Sequence, residues 1–465
     1  MFNLANIKKT WYYLQKNGIS DTYYAVRERL YARNSDLYPD KGYKYEPVSK
    51  KELERQRTVS FTNEYTFSIL VPMYETKPEF AREMIDSVLA QTYPHWELIL
   101  ADASQSNLVK DTVLEYTDER IKYHQLEKNA GISENTNAAL QYATGNYVGL
   151  LDHDDFLTPD ALYEMALCLE NAAKENKSVA FVYSNEDKCD SNGQNYYEPN
   201  IKPKFNFDLL LSNNYICHFL VMKTELMKKL KFRGEFDGAQ DFDLVLRATL
   251  YKEAQEEILH VSKILYHWRC HDASTAANPR SKMYAYEAGK RAVQDAIEVF
   301  LYGQGCEIER TKQGILVNQI PVFVSHTKHN GFYRINYGKG TAKDVFTVRK
   351  DVGIIAGNIK KNNRITGGIK NEEGICPYAG LHVKFSGYLH RNVLVQNCEY
   401  VDLDNAVIRP ELMELAKKEK LNLNLSDGNA EICRFIKESG YTILYDPLFE
   451  KKKSLTPVLE VDFLV

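Results

Sequence analysis

Apolar runs in the first half of the chain alternate with helical patterns, and this alternation restricts the fold more than any other feature. Four runs read as buried strands: residues 67–72, 96–101, 121–126 and 147–151. Apolar residues at helical spacing predict helices between them, at residues 79–91, 108–116 and 133–143. Parallel neighbouring strands need a connection that crosses one face of the sheet, and a helix supplies it. The sequence therefore predicts an α/β fold with a doubly wound, mixed but mostly parallel sheet and right-handed crossovers.

Carboxylates directly follow two of the predicted strands. Asp102 follows the second run, and Asp152, Asp154 and Asp155 follow the fourth. Ligands of open α/β sheets bind at the carboxyl ends of the strands, so we expect these acids to line one crevice. Crowded carboxylates favour a hard cation, Mg²⁺ or Mn²⁺, which can carry a diphosphate. The alternatives are a solvated acidic turn before a helix that starts near Thr158, and an ordinary turn at Asp102.

Two further segments offer groups that suit a nucleotide. The end of the first strand can flank a ring, and a loop that runs into a helix can hold a ribose or diphosphate oxygen. The candidate residues for binding such a nucleotide in these segments are Val71, Pro72, Tyr74, Asn129, Gly131 and Asn137. Any capped junction between a loop and a helix has the same pattern, so this interpretation has an open alternative.

Two segments later in the chain carry candidates for catalysis and for phosphate or metal binding. Asp241 lies near the start of a predicted helix and can act as a general base, or it can simply favour the positive end of that helix. His267, Arg269 and Ser274 follow a strand predicted at residues 258–266. We expect His267 to bind the metal, Arg269 to clamp diphosphate oxygens and Ser274 to donate to them. A single histidine is more often a core or surface residue.

In order and spacing, these segments resemble the motif series of inverting glycosyltransferases of family 2. The motifs lie between residues 67 and 276 and read FSILVPMYE, LILADASQSN, NAGISENTNAAL, GNYVGLLDHDDFLTPDAL, FVYSNEDK, AQDFDLVLRA and ILYHWRCHDASTA. The resemblance is closest to rhamnosyltransferase-like enzymes of cell-surface polysaccharide synthesis. It implies a GT-A type nucleotide-diphospho-sugar transferase fold in which Asp102 contacts the base, Asp152 and Asp154 form the DxD metal motif, and Asp241 is the catalytic base.

The chain departs from this family pattern at three positions. Gln240 stands where a Glu usually precedes the base, Thr136 where an Arg is common, and Asn185 where many relatives have Asp. Loss of a like charge at Gln240 predicts a lower pKa for the neighbouring base than in relatives. Gln240 and the acids of the SNEDK segment, Glu186 and Asp187, are expected on the acceptor side, although a solvated acidic loop has the same sequence.

The rest of the chain predicts two further domains around a catalytic domain at 65–300. Residues 1–64 read as an N-terminal helical arm, and residues 301–465 as a smaller C-terminal α/β module. Residues 352–451 resemble the acceptor half of a second, degenerate glycosyltransferase domain, with Asn429 where an acid is expected, and residues 331–337 resemble a linker of tandem relatives. We expect this module to serve packing, acceptor binding or self-association into a homo-oligomer.

The composition and the start of the sequence restrict the classes of binding partner and the cellular compartment that we expect for this protein. The net charge of −4 gives no indication of nucleic-acid binding, and eight cysteines without a CxxC pair read as reduced packing residues. The start of the sequence has no secretory pattern and no run long enough to span a bilayer, so a cytoplasmic location is expected. Lys8, Lys9, Lys16 and Trp11 suit peripheral contact with the inner face of the cell membrane, or a helix packed on its own domain.

These observations predict transfer of a hexose or deoxyhexose, with rhamnose as the family-level choice, from a UDP- or dTDP-sugar to a glycan or lipid-linked acceptor. The competing hypothesis is a non-catalytic scaffold that binds a glycan or a nucleotide. A nucleotidyltransferase shares the βαβ pattern, but residues 73–76 lack the glycine-rich loop that such an enzyme carries after its first strand.

Overall fold

The computed structural model describes residues 4–271, 283–421 and 429–451, with side chains from residue 10 onward. It divides into two compact units. The sheet unit comprises residues 43–205 and 214–292, and the C-terminal unit comprises residues 1–42, 206–213 and 293–465.

These units group the chain differently from the predicted segments 1–64, 65–300 and 301–465. Most of the predicted arm belongs to the C-terminal unit, and residues 206–213 leave the predicted catalytic segment to join that unit. The predicted boundary at residue 300 lies inside a helix, Met283–Gly303, that both units share. The three-domain division itself stays a prediction.

The sheet unit contains nine strands and seven complete helices among the residues that the structure describes. The strands are β1 Phe67–Met73, β2 Trp96–Asp102, β3 Ile121–Gln125, β4 Tyr147–Leu150, β5 Phe156–Leu157, β6 Ser178–Cys189, β7 Tyr196–Asn200, β8 Leu220–Lys223 and β9 Glu256–Arg269. The helices are α2 Lys50–Arg57, α3 Pro78–Leu89, α4 Leu108–Val113, α5 Ile132–Tyr142, α6 Ala161–Lys174, α8 Thr224–Leu230 and α9 Gln240–Tyr251.

The strands form one mixed sheet in the order β3-β2-β1-β4-β8-β6-β9-β5, with β7 paired to β6. The first four strands run parallel, as the alternation of apolar and helical patterns predicts, and β8 is antiparallel to both β4 and β6. The direction of the sheet therefore changes beside β4. Its core is apolar on both faces, with β1 and β2 almost entirely buried, as parallel strands covered by helices require.

The elements predicted between residues 67 and 151 are confirmed within a few residues. The last strand of the series ends earlier than predicted, at Leu150, so that Asp152 to Asp155 lie in the turn that follows it. Strand β9 is longer than predicted and continues through Arg269. His267 and Arg269 are therefore strand residues with buried side chains, and the expected loop at this position begins only after them.

The C-terminal unit contains the remaining elements of the described chain. The helices are α1 Leu4–Ala32, with non-helical geometry at Gly18, α7 Phe207–Ser212, most of α10 Met283–Gly303, α11 Ala342–Val348, α12 Pro410–Lys418 and α13 Asn429–Glu438. The strands are β10 Ile308–Arg310, β11 Ile315–Val317, β12 Ile320–His326, β13 Tyr333–Tyr337, β14 Val352–Ala356, β15 Ile359–Lys361, β16 Arg364–Gly367, β17 Ile369–Lys370, β18 Gln396–Asn397, β19 Tyr400–Val401, β20 Ala406–Ile408 and β21 Thr442–Tyr445.

Two four-stranded sheets organise the C-terminal unit. The first, β10-β11-β12-β13, is an antiparallel meander, and the second has the order β18-β21-β14-β20 with β14 and β21 parallel. The sequence pattern predicts a strand at residues 352–355, a helix at 430–439 and a strand at 441–445, and the structure confirms them as β14, α13 and β21. Among the described residues, no helix combines the length and the apolar composition needed to cross a bilayer.

A buried ion pair ties α7 to the C-terminal unit. The guanidinium of Arg349 donates to both carboxylate oxygens of Asp208 at 2.7 and 3.0 Å and also binds Asp351. Both partners of the central pair are almost fully withdrawn from water. Removing the Asp208 carboxylate would leave Asp351 as the remaining acid partner of the buried guanidinium, so that part of its hydrogen-bonding capacity would be lost without replacement by water.

We expect Asp208→Ala to lower the free energy of unfolding by about 1–3 kcal/mol, because it removes one of the two acid partners of the buried Arg349 guanidinium and leaves only Asp351 to compensate the charge. Urea unfolding followed by circular dichroism measures the loss. The matched control is Glu115→Ala, which removes an equally well-aligned arginine partner from the half-exposed pair with Arg82 and should change stability little. Equal effects of the two substitutions would contradict the role given to Asp208.

Candidate active site at the end of strand β4

The acidic turn after β4 contains one buried carboxylate, which is fixed by hydrogen bonds, and two accessible ones. Asp155 is buried and accepts hydrogen bonds from the Tyr266 hydroxyl at 2.5 Å and from the backbone N–H of Arg269 at 2.8 Å. These bonds fix the turn to β9. The side chains of Asp152 and Asp154 keep 48% and 20% of their surface exposed, so they are the members of the triplet that can reach a ligand.

The turn concentrates negative charge. Burial raises the pKa of Asp155 well above its ordinary value, and the charges of Asp154 and Asp152 raise it further. Loss of hydration also raises the pKa of Asp152, where His218 opposes the shift and Asp154 and Asp241 add to it. Asp241 thus lies close enough to the turn for its charge to act on Asp152. A cation placed here would relieve the repulsion.

His218, which the sequence did not single out, faces this turn from the segment just before the neighbouring strand β8. Strand β8 pairs antiparallel with β4 so that Val221 lies opposite Gly149. Continuing this register by three residues brings His218 opposite Asp152, and its Nε2 lies 3.9 Å from the Asp152 carboxylate. The sequence could not reveal this contact, because it depends on the register between two strands that are far apart in the chain, and local sequence patterns do not contain that information.

A buried charge network holds His218 in place. The Glu186 carboxylate accepts from the backbone N–H of His218 at 3.1 Å, lies 3.2 Å from its Nδ1, and lies 3.3 Å from the Lys202 ammonium. Burial would raise the pKa of Glu186, but Lys202 and His218 lower it to about 2. Burial lowers the pKa of His218, whereas contact with Cys217 and Glu186 raises it well above 6.5 and prevails. The contact with the Glu186 carboxylate therefore favours the protonated imidazole.

Asp241 begins α9 and is oriented by a neighbouring amide. Its Oδ2 accepts from the Asn214 side chain at 2.8 Å and lies 3.9 Å from the Cys217 sulfur. Burial raises the pKa of Cys217 to about 11, so this thiol is neutral beside the carboxylate. The preceding Gln240 accepts from the Gly238 backbone N–H at 2.8 Å and so stabilises the turn that leads into the helix.

The histidine that reaches Asp154 is His271, not the predicted His267. Nε2 of His271 lies 2.8 Å from Oδ2 of Asp154. His267 is buried within β9, where its Nδ1 lies 2.5 Å from Asp187, and Asp187 also accepts from the Tyr43 hydroxyl at 2.7 Å. The prediction placed His267 after the end of the strand, but β9 extends past it, and its side chain forms this buried pair with Asp187.

Arg269 is buried and its donors are used within the protein. Its Nε donates to the backbone oxygen of Asp154 at 2.7 Å, and its terminal nitrogens contact the Ser191 carbonyl and the Glu83 carboxylate. This arrangement positions the acidic turn and differs from the predicted clamp on a diphosphate. Ser274 lies outside the described residues.

The candidate nucleotide-binding residues of β1 and β2 lie side by side. Met73 of β1 is paired with Asp102 of β2, so Pro72 and Tyr74 lie beside the end of the neighbouring strand, whereas the side chain of Val71 is buried in the apolar core. Asp102 is buried, and its two oxygens accept from the Ser104 backbone N–H at 2.9 Å and the Tyr123 hydroxyl at 2.8 Å. The side chain of Tyr74 is 47% exposed, which leaves a ring surface at this edge.

The loop before α5 uses its polar groups to fix its own shape. Asn129 accepts from the Gly131 N–H at 3.1 Å, and the Asn137 side chain exchanges two hydrogen bonds of 2.9 Å with the backbone of Phe232. Gly131 has a φ of +95°, and a Cβ there would lie 2.7 Å from the Asp237 carboxylate. The close approach that this glycine permits is thus to Asp237, whose carboxylate also binds Ser133.

Substituting Glu186 by Gln should lower the pKa of His218, because it removes the negative charge while the burial of the ring remains. Stabilisation by the imidazolium is complete below the ordinary pKa of histidine and is lost as the pH rises through the raised value. NMR titration of the histidine Cε1–H signals measures the shift, with His218→Gln assigning the peak. The control Glu198→Gln changes an exposed carboxylate of β7; an unshifted His218 in Glu186→Gln would refute the assignment.

Comparison with known proteins finds a family match for part of the chain. Residues 68–231 match the family model described as Glycosyl transferase family 2. The chain is 38% identical over 49% of its length to the uncharacterized protein y4gI of Sinorhizobium fredii, and 33% identical over 49% to the O-antigen biosynthesis protein RfbC of Myxococcus xanthus. The aligned regions cover only 25% and 18% of those two relatives.

A third relative is similar over most of its own length. The UDP-Glc:alpha-D-GlcNAc-diphosphoundecaprenol beta-1,3-glucosyltransferase WfgD of Escherichia coli is 28% identical over 46% of this chain and 81% of its own. The mixed, mostly parallel sheet of the structure is the GT-A type fold that the motif series implied. Residues 68–231 thus carry a match to glycosyltransferase family 2.

Proposed function

We propose that the sheet unit transfers a hexose or deoxyhexose from a nucleotide-diphosphate sugar to a hydroxyl of a cell-surface polysaccharide or lipid-linked glycan, with inversion at the anomeric carbon. The observation that carries this proposal is the shared electrostatic neighbourhood of Asp152, Asp154 and Asp241 at the end of β4. Two accessible acids for a cation and a third acid for an acceptor proton are what such a transfer needs.

Asp152 and Asp154 supply oxygen ligands that fit Mg²⁺ or Mn²⁺, and the raised pKa of Asp152 supports a site that gains from a cation. We assign the nitrogen ligand to His271 in place of His267, because His271 lies against Asp154. When bound, the ion would neutralise charge on the diphosphate leaving group. Arg269 holds the backbone of Asp154, and Asp155 holds the turn, so both position these ligands.

Asp241 is the group that we assign to removal of the acceptor proton. The Asn214 amide occupies its Oδ2 and orients the carboxylate. The imidazolium of His218 lies on the β8 side of Asp152, and we assign it to stabilising negative charge in the crevice. Attack by the deprotonated hydroxyl in line with the departing diphosphate would give inversion in one displacement.

Asp102 and the end of β1 are the proposed nucleotide side, because they form one edge of the sheet next to β4. A UDP-sugar is the favoured donor, since the name of WfgD states UDP-Glc and the name also gives a diphosphoundecaprenol-linked acceptor. The name of RfbC, an O-antigen biosynthesis protein, supports a surface polysaccharide as the product. Glu186, Asp187 and Gln240 are buried or bonded within the protein, so we assign them to shaping the acceptor side.

A panel of nucleotide sugars, scored by thermal shift with and without Mn²⁺, tests the donor and the metal together. We expect Asp154→Ala to abolish the Mn²⁺-dependent shift, and Asp241→Asn to keep the shift but to slow donor turnover by about 10²–10⁴-fold. The matched control is Asp111→Asn, an exposed acid on α4. Donor binding without turnover in the unsubstituted protein would favour the scaffold hypothesis instead.

The assignment of His271 has its own test. We expect His271→Gln to weaken Mn²⁺ binding by about 10–100-fold, because it removes the imidazole that lies against Asp154. Mn²⁺ titration followed by electron paramagnetic resonance gives the affinity without a turnover assay. His95→Gln, at a half-exposed position distant in sequence from the acidic turn, is the control. Unchanged affinity in His271→Gln would exclude this ligand.

A further inference from the structure

The second half of helix α1, residues 19–32, has two different faces. Its inner face packs on the C-terminal unit, where Tyr24 and Tyr31 join the core around Phe385. The Glu28 carboxylate on that face accepts from the Tyr38 hydroxyl and the Gly387 N–H, both at 2.7 Å, and from the Ser386 N–H at 2.9 Å. The helix is thus fixed in orientation by contacts within its own unit.

The outer face of α1 carries an exposed apolar stripe. Its members recur at spacings of four, three and four residues and therefore lie along one line of the helix. They are Ile19, Tyr23, Val26 and Leu30, with 81%, 56%, 45% and 57% of their surface exposed. Four apolar side chains aligned on one solvent-facing line are unusual on a protein surface and indicate a binding surface.

The charges of the helix are divided between the two faces. Between residues 10 and 33, whose side chains the structure describes, every exposed charged residue is basic: Lys16, Arg27, Arg29 and Arg33. Both acids of this stretch are turned to internal partners, Asp21 to Lys328 at 3.6 Å and Glu28 to the groups named above. An apolar stripe flanked by arginines matches the interface of a bilayer with anionic headgroups.

We propose that the outer face of α1 binds an anionic lipid surface, with the stripe entering the interface and Arg27, Arg29 and Arg33 contacting the headgroups. A second copy of the chain fits less well, because pairing two such faces would bring arginines against arginines. The proposed interface differs from the Lys8 to Leu14 stretch that the sequence indicated, and it is independent of the sugar-transfer proposal. Binding through this face would hold the protein at a membrane surface and would not require a spanning segment.

Co-sedimentation of the full-length protein with vesicles tests this surface. We expect binding to vesicles of equal parts phosphatidylglycerol and phosphatidylcholine, loss of binding in pure phosphatidylcholine, and weakening as salt is raised. The variant Arg27→Gln/Arg29→Gln/Arg33→Gln should partition about 100-fold less. The variant Ile19→Ser/Tyr23→Ser/Leu30→Ser should lose on the order of tenfold or more.

Matched controls are Arg434→Gln and Leu114→Ser, which make the same chemical changes at exposed positions on α13 and after α4. Because all of these positions are exposed, the variants should fold, and donor turnover without vesicles should be unchanged. Failure of the unsubstituted protein to bind anionic vesicles overturns the proposal, as does equal binding by the variants. An unsubstituted protein that is dimeric, with a monomeric apolar variant, would assign the face to self-association and also overturn it.

Discussion

Negative charge gathered at the end of one central strand is the constraint on which the site depends. Three aspartates within four residues cannot remain close together unless the protein fixes the turn and compensates the charge. Hydrogen bonds fix the turn. The buried Asp155 accepts from Tyr266 and from the backbone of Arg269, and the Arg269 side chain donates to the backbone of Asp154. Asp152 and Asp154 are then left accessible. The compensation on the other side comes from the imidazolium of His218.

Strand direction explains why these groups meet. Because β8 runs antiparallel to β4, the start of β8 and the end of β4 lie at the same edge of the sheet. The segment before β8 brings Asn214, Cys217 and His218 to that edge, and Asn214 and Cys217 contact Asp241. A fully parallel sheet would have placed this segment at the opposite edge. The mixed sheet is therefore part of the chemistry of the site as well as of its architecture.

The sequence could predict what local patterns encode. Strands β1 to β4, the helices between them and the carboxylates at the strand ends follow from periodicity and from the position of polar residues after apolar runs. The positions of His218 and His271 beside the acidic turn could not be predicted in this way, because they depend on strand register and on the length of β9. Arg269 looked like a ligand because a buried arginine and a phosphate-binding arginine are the same residue in a sequence; only the contacts distinguish them.

The short helix α7 has a consequence for how the polypeptide can be divided. In sequence, residues 206–213 lie between two parts of the sheet unit. Helix α7 nevertheless contacts β13 and β18 of the C-terminal unit. Its leucines, Leu209, Leu210 and Leu211, are buried. A shortened chain that stopped near residue 292 would retain these leucines and lose the strands that cover them. Such a fragment would expose an apolar surface and would tend to aggregate. The transferase domain is therefore not expected to fold well when it is separated from the C-terminal unit.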